Sequence, residues 1–249
     1  MSLSTLSVSV LAFSAAFAAA PSAQQQVLPF DRPQLRGTDR PSEEIVHATY
    51  NVQLDTLTSV RHSSGEIGLG NPPCFDNSEI LDTTSPGYII ANTGEDLLAW
   101  GTKNCPGASR LRKFTIAYRS EALDVSGGGP GAVFSIALHS GANGFGRPGT
   151  EIYRHTFMGM PANGMATVFF TVDFGTEPLR LNDGSFGWSF LQLDGDTGPV
   201  AVRAPKLVLG TADALDIYAP GAADPGNYLG TFNYGGYCNP KIGELKDKI

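Results

Sequence analysis

The sequence predicts an all-β chain: a two-sheet antiparallel β-sandwich, jelly-roll-like, with very little helix outside its amino-terminal segment. Three observations carry this expectation. Val168, Phe170, Val172 and Phe174 alternate with Phe169, Thr171 and Asp173, the period of a strand with one face in a core. Beyond the amino-terminal run, no segment holds the i, i+3, i+4, i+7 pattern of an amphipathic helix. The 30 Gly and 17 Pro fall between apolar runs, as turn punctuation does.

Taken in order, the chain opens on an Ala-rich apolar run, Leu6 to Ala20, followed by Pro21-Ser22-Ala23 and three glutamines. That is the layout of a secretory signal peptide over residues 1–23, with cleavage after Ser22 or Ala23. The run is short for a membrane span of about 20 residues, so cleavage is the preferred reading over an anchor. The expectation is therefore a secreted protein, extracellular or periplasmic, with no membrane insertion after cleavage. Residues 24–43, rich in Gln, Pro and Arg, read as a flexible leader. Residues 44–240 form the β-sandwich domain, and residues 241–249 a charged tail.

Within the domain, Val46, Ala48, Tyr50, Val52 and Leu54 mark a first half-buried strand. Residues 61–87 read as a long polar connection, and Tyr88 to Ala91 and Asp96 to Trp100 as two short strands. Phe114, Ile116 and Tyr118 share one face of the next strand, and Phe134, Ile136 and Leu138 one face of its successor. Ile152 to Phe157 and the stripe at Val168 to Phe174 follow. Phe186, Trp188 and Phe190 repeat the stripe, with Trp188 read as core. Val200 to Val202, Leu207 to Leu209, Leu215 to Tyr218 and Tyr228 to Tyr237 complete the set.

The formal net charge of −7 argues against nucleic acid and anionic lipid as partners. Arg110, Arg112 and Lys113, with Arg119 further along, are the only basic cluster and read as the solvent face of a strand. The cysteines Cys74, Cys105 and Cys238 lack zinc spacing. An exported chain with three cysteines has one pair and one free or intermolecular thiol. Cys74 and Cys105 lie in loops flanking the same two short strands, which favours their pairing over the two alternatives. Such a bridge would contribute roughly 3–4 kcal/mol in the chain-entropy account.

Familiar catalytic motifs are missing from the sequence. There is no Gly-x-Ser-x-Gly elbow, no His-Glu-x-x-His pair among the four histidines, and no Glu-x-Asp-x-Glu run. No catalytic residue is named on these grounds, although carboxylates could still meet across strands. Asp194-Gly195-Asp196 is the metal candidate, since alternate carboxylates in a glycine turn can offer oxygens to a structural Ca²⁺. A plain turn is the preferred alternative, because tight connections select the same residues. Trp100 and the late tyrosines Tyr228, Tyr234 and Tyr237 are the candidates for binding a glycan, through flat ring faces beside Asn and Thr. Strand alternation, which would turn Phe232 or Tyr234 into the core, is favoured for at least half of these late rings.

The segments Asp96-Leu97-Leu98-Ala99-Trp100-Gly101, Phe186-Gly187-Trp188-Ser189-Phe190 and Asp196-Thr197-Gly198-Pro199-Val200 resemble landmarks of secreted bacterial β-sandwich proteins of planctomycete-type lineages. The resemblance spans roughly residues 80–240 and implies a secreted jelly-roll-like domain. It brings no activity and no catalytic residue with it. The expected role is a non-enzymatic binding or structural module at or outside the cell surface, its partner a glycan or a matrix component. The alternatives are a lectin-like carbohydrate-binding module and a hydrolase with an acidic pair assembled across strands.

Overall fold

Alternating apolar stripes leave each strand one face to bury, and two sheets closing on each other satisfy them all. The computed structural model describes residues 34–37, 44–62, 75–76, 87–90, 95–101, 108–141, 146–162, 166–181, 186–203, 215–218, 227–232, 238–240 and 242–248. The first strands are β1 (Gln34–Gly37), β2 (Glu44–Asn51), β3 (Thr56–His62), β4 (Phe75–Asp76), β5 (Gly87–Ile90) and β6 (Glu95–Gly101). The middle of the chain supplies β7 (Ala108–Ser120), β8 (Ala132–Ser140), β9 (Thr150–Met160), β10 (Ala166–Asp173), β11 (Leu179–Arg180) and β12 (Phe186–Gln192). Last come β13 (Thr197–Arg203), β14 (Leu215–Tyr218), β15 (Tyr228–Phe232), β16 (Cys238–Pro240) and β17 (Ile242–Lys248). Among the described residues, helix is confined to 3₁₀ turns: Val125–Gly127, capped by the Asp124 side chain, and Asn227 just before β15.

The larger sheet has 11 strands, its main path running β1-β5-β13-β7-β10-β2-β3. The smaller has six, in the order β15-β14-β6-β12-β8-β9. β7 organises the larger sheet. Its 13 residues pair with β10 along one edge, while β13 and β17 share the other. Pairing is antiparallel throughout the described ladders except for β2 and β10, which run parallel. Alternation within a strand places its faces but says nothing of its partner's direction, so this pair was not legible in advance.

The core lies between the sheets. Val46, Ala48, Tyr50, Phe114, Ile116, Tyr118, Val168, Phe170 and Val172 of the larger sheet meet Phe134, Ile136, Leu138, Phe157, Trp188 and Phe190 of the smaller. The rings interlock at favourable angles. Tyr118 and Phe134 have centroids 4.8 Å apart, Phe157 and Phe170 4.7 Å, and Phe114 and Trp188 5.7 Å. The stripe predicted at Val168–Phe174 and the residues Trp188 and Phe190 of the second stripe therefore face inward, as their alternation required.

Four expectations need correction. Val52 and Leu54 do not extend the first strand; the chain turns over residues 52–55 and returns as β3. Asn51 Oδ1 accepts from the Leu54 N–H (3.0 Å), and Asp55 sits at φ +50°, a conformation Asp tolerates better than most residues. Two segments placed outside the domain also supply strands: β1 pairs with β5, and β17 with β7. In that ladder the register sets Asp247 opposite Arg110. Arg119, read as solvent-facing, is only 5% exposed; its Nε donates to Thr167 Oγ1 at 3.0 Å. Phe169, on the face opposite the core stripe, is 3% exposed and clusters with Ala117, Val200 and Ile45. The outer face of the larger sheet is thus partly covered, which one-faced alternation does not anticipate. The strand expected at Leu207–Leu209 lies outside the described residues.

Candidate functional site

The Asp-Gly-Asp segment joins β12 to β13, and its geometry is that of a knot. Asp194 Oδ1 accepts from the backbone N–H groups of Asp196 and Thr197, both at 2.9 Å. Its Oδ2 accepts from the Val133 N–H at 2.8 Å and from Thr197 Oγ1 at 2.5 Å. Thr197 Oγ1 is in turn hydrogen-bonded to Ser120 Oγ at 2.7 Å. One carboxylate therefore ties β8 of the smaller sheet to β13 and β7 of the larger. A carboxylate has about four lone-pair positions, and all four are occupied here by donors. Asp196 is half-buried, and its carbonyl accepts from the Glu121 N–H at 3.0 Å. Among the described residues no three His, Cys, Asp or Glu side chains gather as a cation would require.

A second polar assembly covers the outside of the smaller sheet. Along β8, Phe134, Ile136 and Leu138 point inward, so Ser135, Ala137 and His139 point outward by the period of the strand. All three are buried. His139 Nε2 lies 3.2 Å from Ser189 Oγ of β12. Burial pulls the imidazole down to about pKa 4; nearby Glu151 opposes this and Arg154 adds to it. The ring is neutral at neutral pH, and among the described residues its Nδ1 has no hydrogen-bond partner.

Farther across the same sheet, Ile217 of β14 points into the core and Asp216 and Tyr218 point out. Asp216 is a buried carboxylate with three donors. It accepts from Thr231 Oγ1 (2.6 Å), the Gly146 N–H (2.6 Å) and, more loosely, the Tyr218 hydroxyl (3.4 Å). Burial pushes its pKa up, and the three hydrogen bonds pull against that push. Tyr228 closes the group: its hydroxyl bonds to Thr231 Oγ1, and its ring sits 5.6 Å from that of Tyr218. Gly146, at φ +67°, lies beneath that ring; a Cβ there would touch it at 3.5 Å.

Of the predicted site residues, Tyr228 is half-buried and already packed on both counts, against Gly146 and Tyr218. Trp100 stands opposite Gly187 in the ladder between β6 and β12, and Gly187 is in turn opposite His139. Tyr234, Tyr237, Cys74 and Cys105 lie outside the described residues, while Cys238 begins β16 opposite Arg203. The residues that sequence reasoning passed over are His139, Ser189 and Asp216. The only signal was a polar residue flanked by apolar ones within a short strand, which an exposed face would display equally.

Chemically, a hydroxyl beside an imidazole is the beginning of a nucleophilic pair. Here neither group is exposed, and among the described residues no carboxylate orients the imidazole's other nitrogen. The carboxylates of this region hold loops to strands. No family model matches the chain, and no curated protein or solved structure matches it either.

Proposed function

We propose that this chain is a secreted, non-enzymatic β-sandwich acting as a binding or structural module at or outside the cell surface. One observation carries the reading: the described polar groups best suited to chemistry are spent on the fold. Asp194 takes four donors, Asp216 takes three, and the His139–Ser189 pair has no exposure. What meets solvent instead is edge strands, loop tips and single apolar side chains such as Leu123, Val125 and Met158. A pairing of Cys74 with Cys105 belongs to the same reading, since export permits it. Its test is non-reducing peptide mapping of the exported monomer, where a peptide joining Cys238 to either partner overturns it.

A second reading, carbohydrate binding, draws on the Tyr228 corner. There an aromatic ring, a threonine hydroxyl and a carboxylate converge at the rim of the smaller sheet, as polar sugar recognition needs. Two measurements on one preparation separate the readings. The purified chain is applied to a glycan array and, in parallel, to chromogenic ester and glycoside panels. The module reading expects no turnover with any substrate; multiple turnovers that disappear in Ser189→Ala would overturn it. Glycan capture lost in Tyr228→Ala would select the carbohydrate reading over a purely structural one.

A further inference from the structure

An apolar side chain exposed by itself is ordinary, whereas several exposed together on a rigid support mark a contact surface. The connection between β7 and β8 is such a support, with five hydrogen bonds inside the stretch from Leu123 to Gly131. The Asp124 carbonyl accepts from the N–H groups of Gly127 (2.9 Å) and Gly129 (3.0 Å), and its carboxylate from the Ser126 N–H (3.0 Å). Gly128 donates to the Val125 carbonyl at 2.9 Å, and Gly131 to the Leu123 carbonyl at 3.0 Å. No residue of the 3₁₀ turn in this loop is buried. The loop is thus fixed by its own backbone, and its two large apolar side chains stay outside: Leu123 is 72% exposed and Val125 51%.

Further apolar side chains, distant in the chain, join them in space. The loop abuts the end of β9, where a Cβ on Gly131 would stand 2.8 Å from the Gly159 backbone. A Cβ on Gly159 would in turn stand 3.7 Å from Val125 Cγ2. Val125 therefore lies over the backbone beside Met158, itself 71% exposed. Leu193, 48% exposed, rises from the adjacent turn, its N–H donating to the Val133 carbonyl of β8 at 3.3 Å. Charge at this end of the sandwich has one sign. The segments 120–133, 157–162 and 190–197 contain Glu121, Asp124, Asp194 and Asp196 and no Lys, Arg or His. The Glu121 N–H donates to the Asp196 carbonyl at 3.0 Å, which holds the loop beside that acidic turn. Arg119, just before the loop, is buried against Thr167 and would offset one of these charges without changing the sign.

We infer that this end of the sandwich is a docking surface for a basic, amphipathic segment of another protein. Its apolar side chains pack on Leu123, Val125 and Met158, and its lysines or arginines face Glu121, Asp124 and Asp196. The sign of the charge chooses this occupant. A two-fold pairing of two copies through the patch would set acidic end against acidic end, and an anionic membrane would be repelled. A cationic segment gains from the same field, and its apolar face finds side chains already held in place, so docking orders little of the loop. The inference rests on the binding-module reading above and adds to it the chemistry of a partner.

The test is fluorescence anisotropy of the purified chain with a labelled helical peptide built only of lysine and leucine. Two companions share its design, one with every lysine changed to glutamine and one with every leucine changed to alanine. The first alone should bind, with a Kd on the order of 10 μM at low ionic strength and roughly tenfold weaker in about 0.5 M salt. Leu123→Ser combined with Val125→Ser should weaken binding roughly tenfold, and Met158→Ser, from the other segment, about threefold, with the melting temperature unchanged. Glu121→Lys should weaken it by about threefold as well. Leu54→Ser, 69% exposed on the β2–β3 turn, should leave it as it is. Binding that survives both the double variant and Met158→Ser overturns the inference, as does equal loss in Leu54→Ser or equal binding of the glutamine peptide. Self-association, or adsorption to phosphatidylcholine vesicles, that is lost in the double variant while the peptide fails to bind overturns it in favour of a second copy or of lipid. Absence of peptide binding overturns this inference alone; the non-enzymatic reading falls only with turnover.

Discussion

Two layers of this molecule are equally buried and oppositely made. Between the sheets, Phe134 packs at 4.8–5.6 Å against Tyr118, Phe157, Phe170 and Phe190, and contact among rings does the holding. On the outside of the smaller sheet, Ser135, His139, Ser189 and Asp216 are just as buried and are held by directed hydrogen bonds. The inner layer gains stability in proportion to apolar area, and neighbouring side chains can partly relax into a gap. The outer layer gains little from each bond, yet removing one partner exposes the full desolvation cost of the other. One layer should respond to volume, the other to proton state and to single donors.

The largest effect should come from the inner layer. Phe170 touches the rings of Tyr118, Phe134 and Phe157, so Phe170→Ala removes contacts to both sheets. Its expected cost is about 3–5 kcal/mol in chemical denaturation at neutral pH. A loss below about 1 kcal/mol would mean that the two sheets do not share a packed interior, and the contrast would collapse.

Next in size is a response to acid, and it belongs to the outer layer alone. The folded His139 has a pKa lowered from 6.5 to about 4, so the unfolded chain binds this proton first as pH falls. Stability is therefore intact above about pH 6.5, declines between 6.5 and 4, and levels off below, a loss on the order of 3 kcal/mol. Asp216 acts with the opposite sign, since its raised pKa makes the folded chain take up a proton more readily. The informative measurement is thus a difference: the melting temperature of the protein minus that of His139→Gln, followed from pH 7.5 to 4. A flat difference would place His139 in water.

The two layers also differ in how visible they were in the sequence. The stripe from Val168 to Phe174 announced its inner face because core positions select for size and apolarity every second residue. The polar layer carried no such mark: Ser189 between Trp188 and Phe190, or Asp216 between Leu215 and Ile217, looks the same whether its face meets water or a covering segment. Arg119 was misjudged for this reason, and the burial of Phe169 on the opposite face was not foreseen, because nothing local tells that a second face is covered. β3 was missed because Val52 and Leu54 continue the alternation of β2 through the turn, and only Asn51 and Asp55 hint at the reversal. Asp194 was the opposite case. Its Asp-Gly-Asp context drew attention to the right residue, but the identity of its four donors depends on β8 and β13 meeting in space.

Asp194 offers a third, intermediate perturbation, because its carboxylate joins the two sheets. Asp194→Ala strands the N–H groups of Val133, Asp196 and Thr197 together, and should cost about 2–3 kcal/mol. Asp194→Asn keeps an acceptor oxygen and should recover part of this. The melting temperature of the unmodified chain should be the same in millimolar Ca²⁺ and in chelator, since the carboxylate's lone pairs are already taken. A rise with Ca²⁺ that vanishes in Asp194→Asn would restore the metal role to this turn.

The smallest effect marks where the polar layer ends. Tyr228 is half-buried, its hydroxyl bonded to Thr231 Oγ1, and Thr231 in turn donates to the buried Asp216. Thr231 itself is exposed, so water can take the place of the phenol. Tyr228→Phe keeps the ring against Gly146 and Tyr218 and removes one hydrogen bond, with an expected cost of about 0.5–1 kcal/mol in denaturant unfolding. The acid response set by His139 should be unchanged in this variant, because the phenol faces Thr231 and not the imidazole. A loss above about 2 kcal/mol would show instead that the phenol is sealed from solvent. The buried polar layer would then reach the rim of β15, and Tyr228 would belong with Asp216 as a strut of the fold, which would count directly against its use as a surface for sugar.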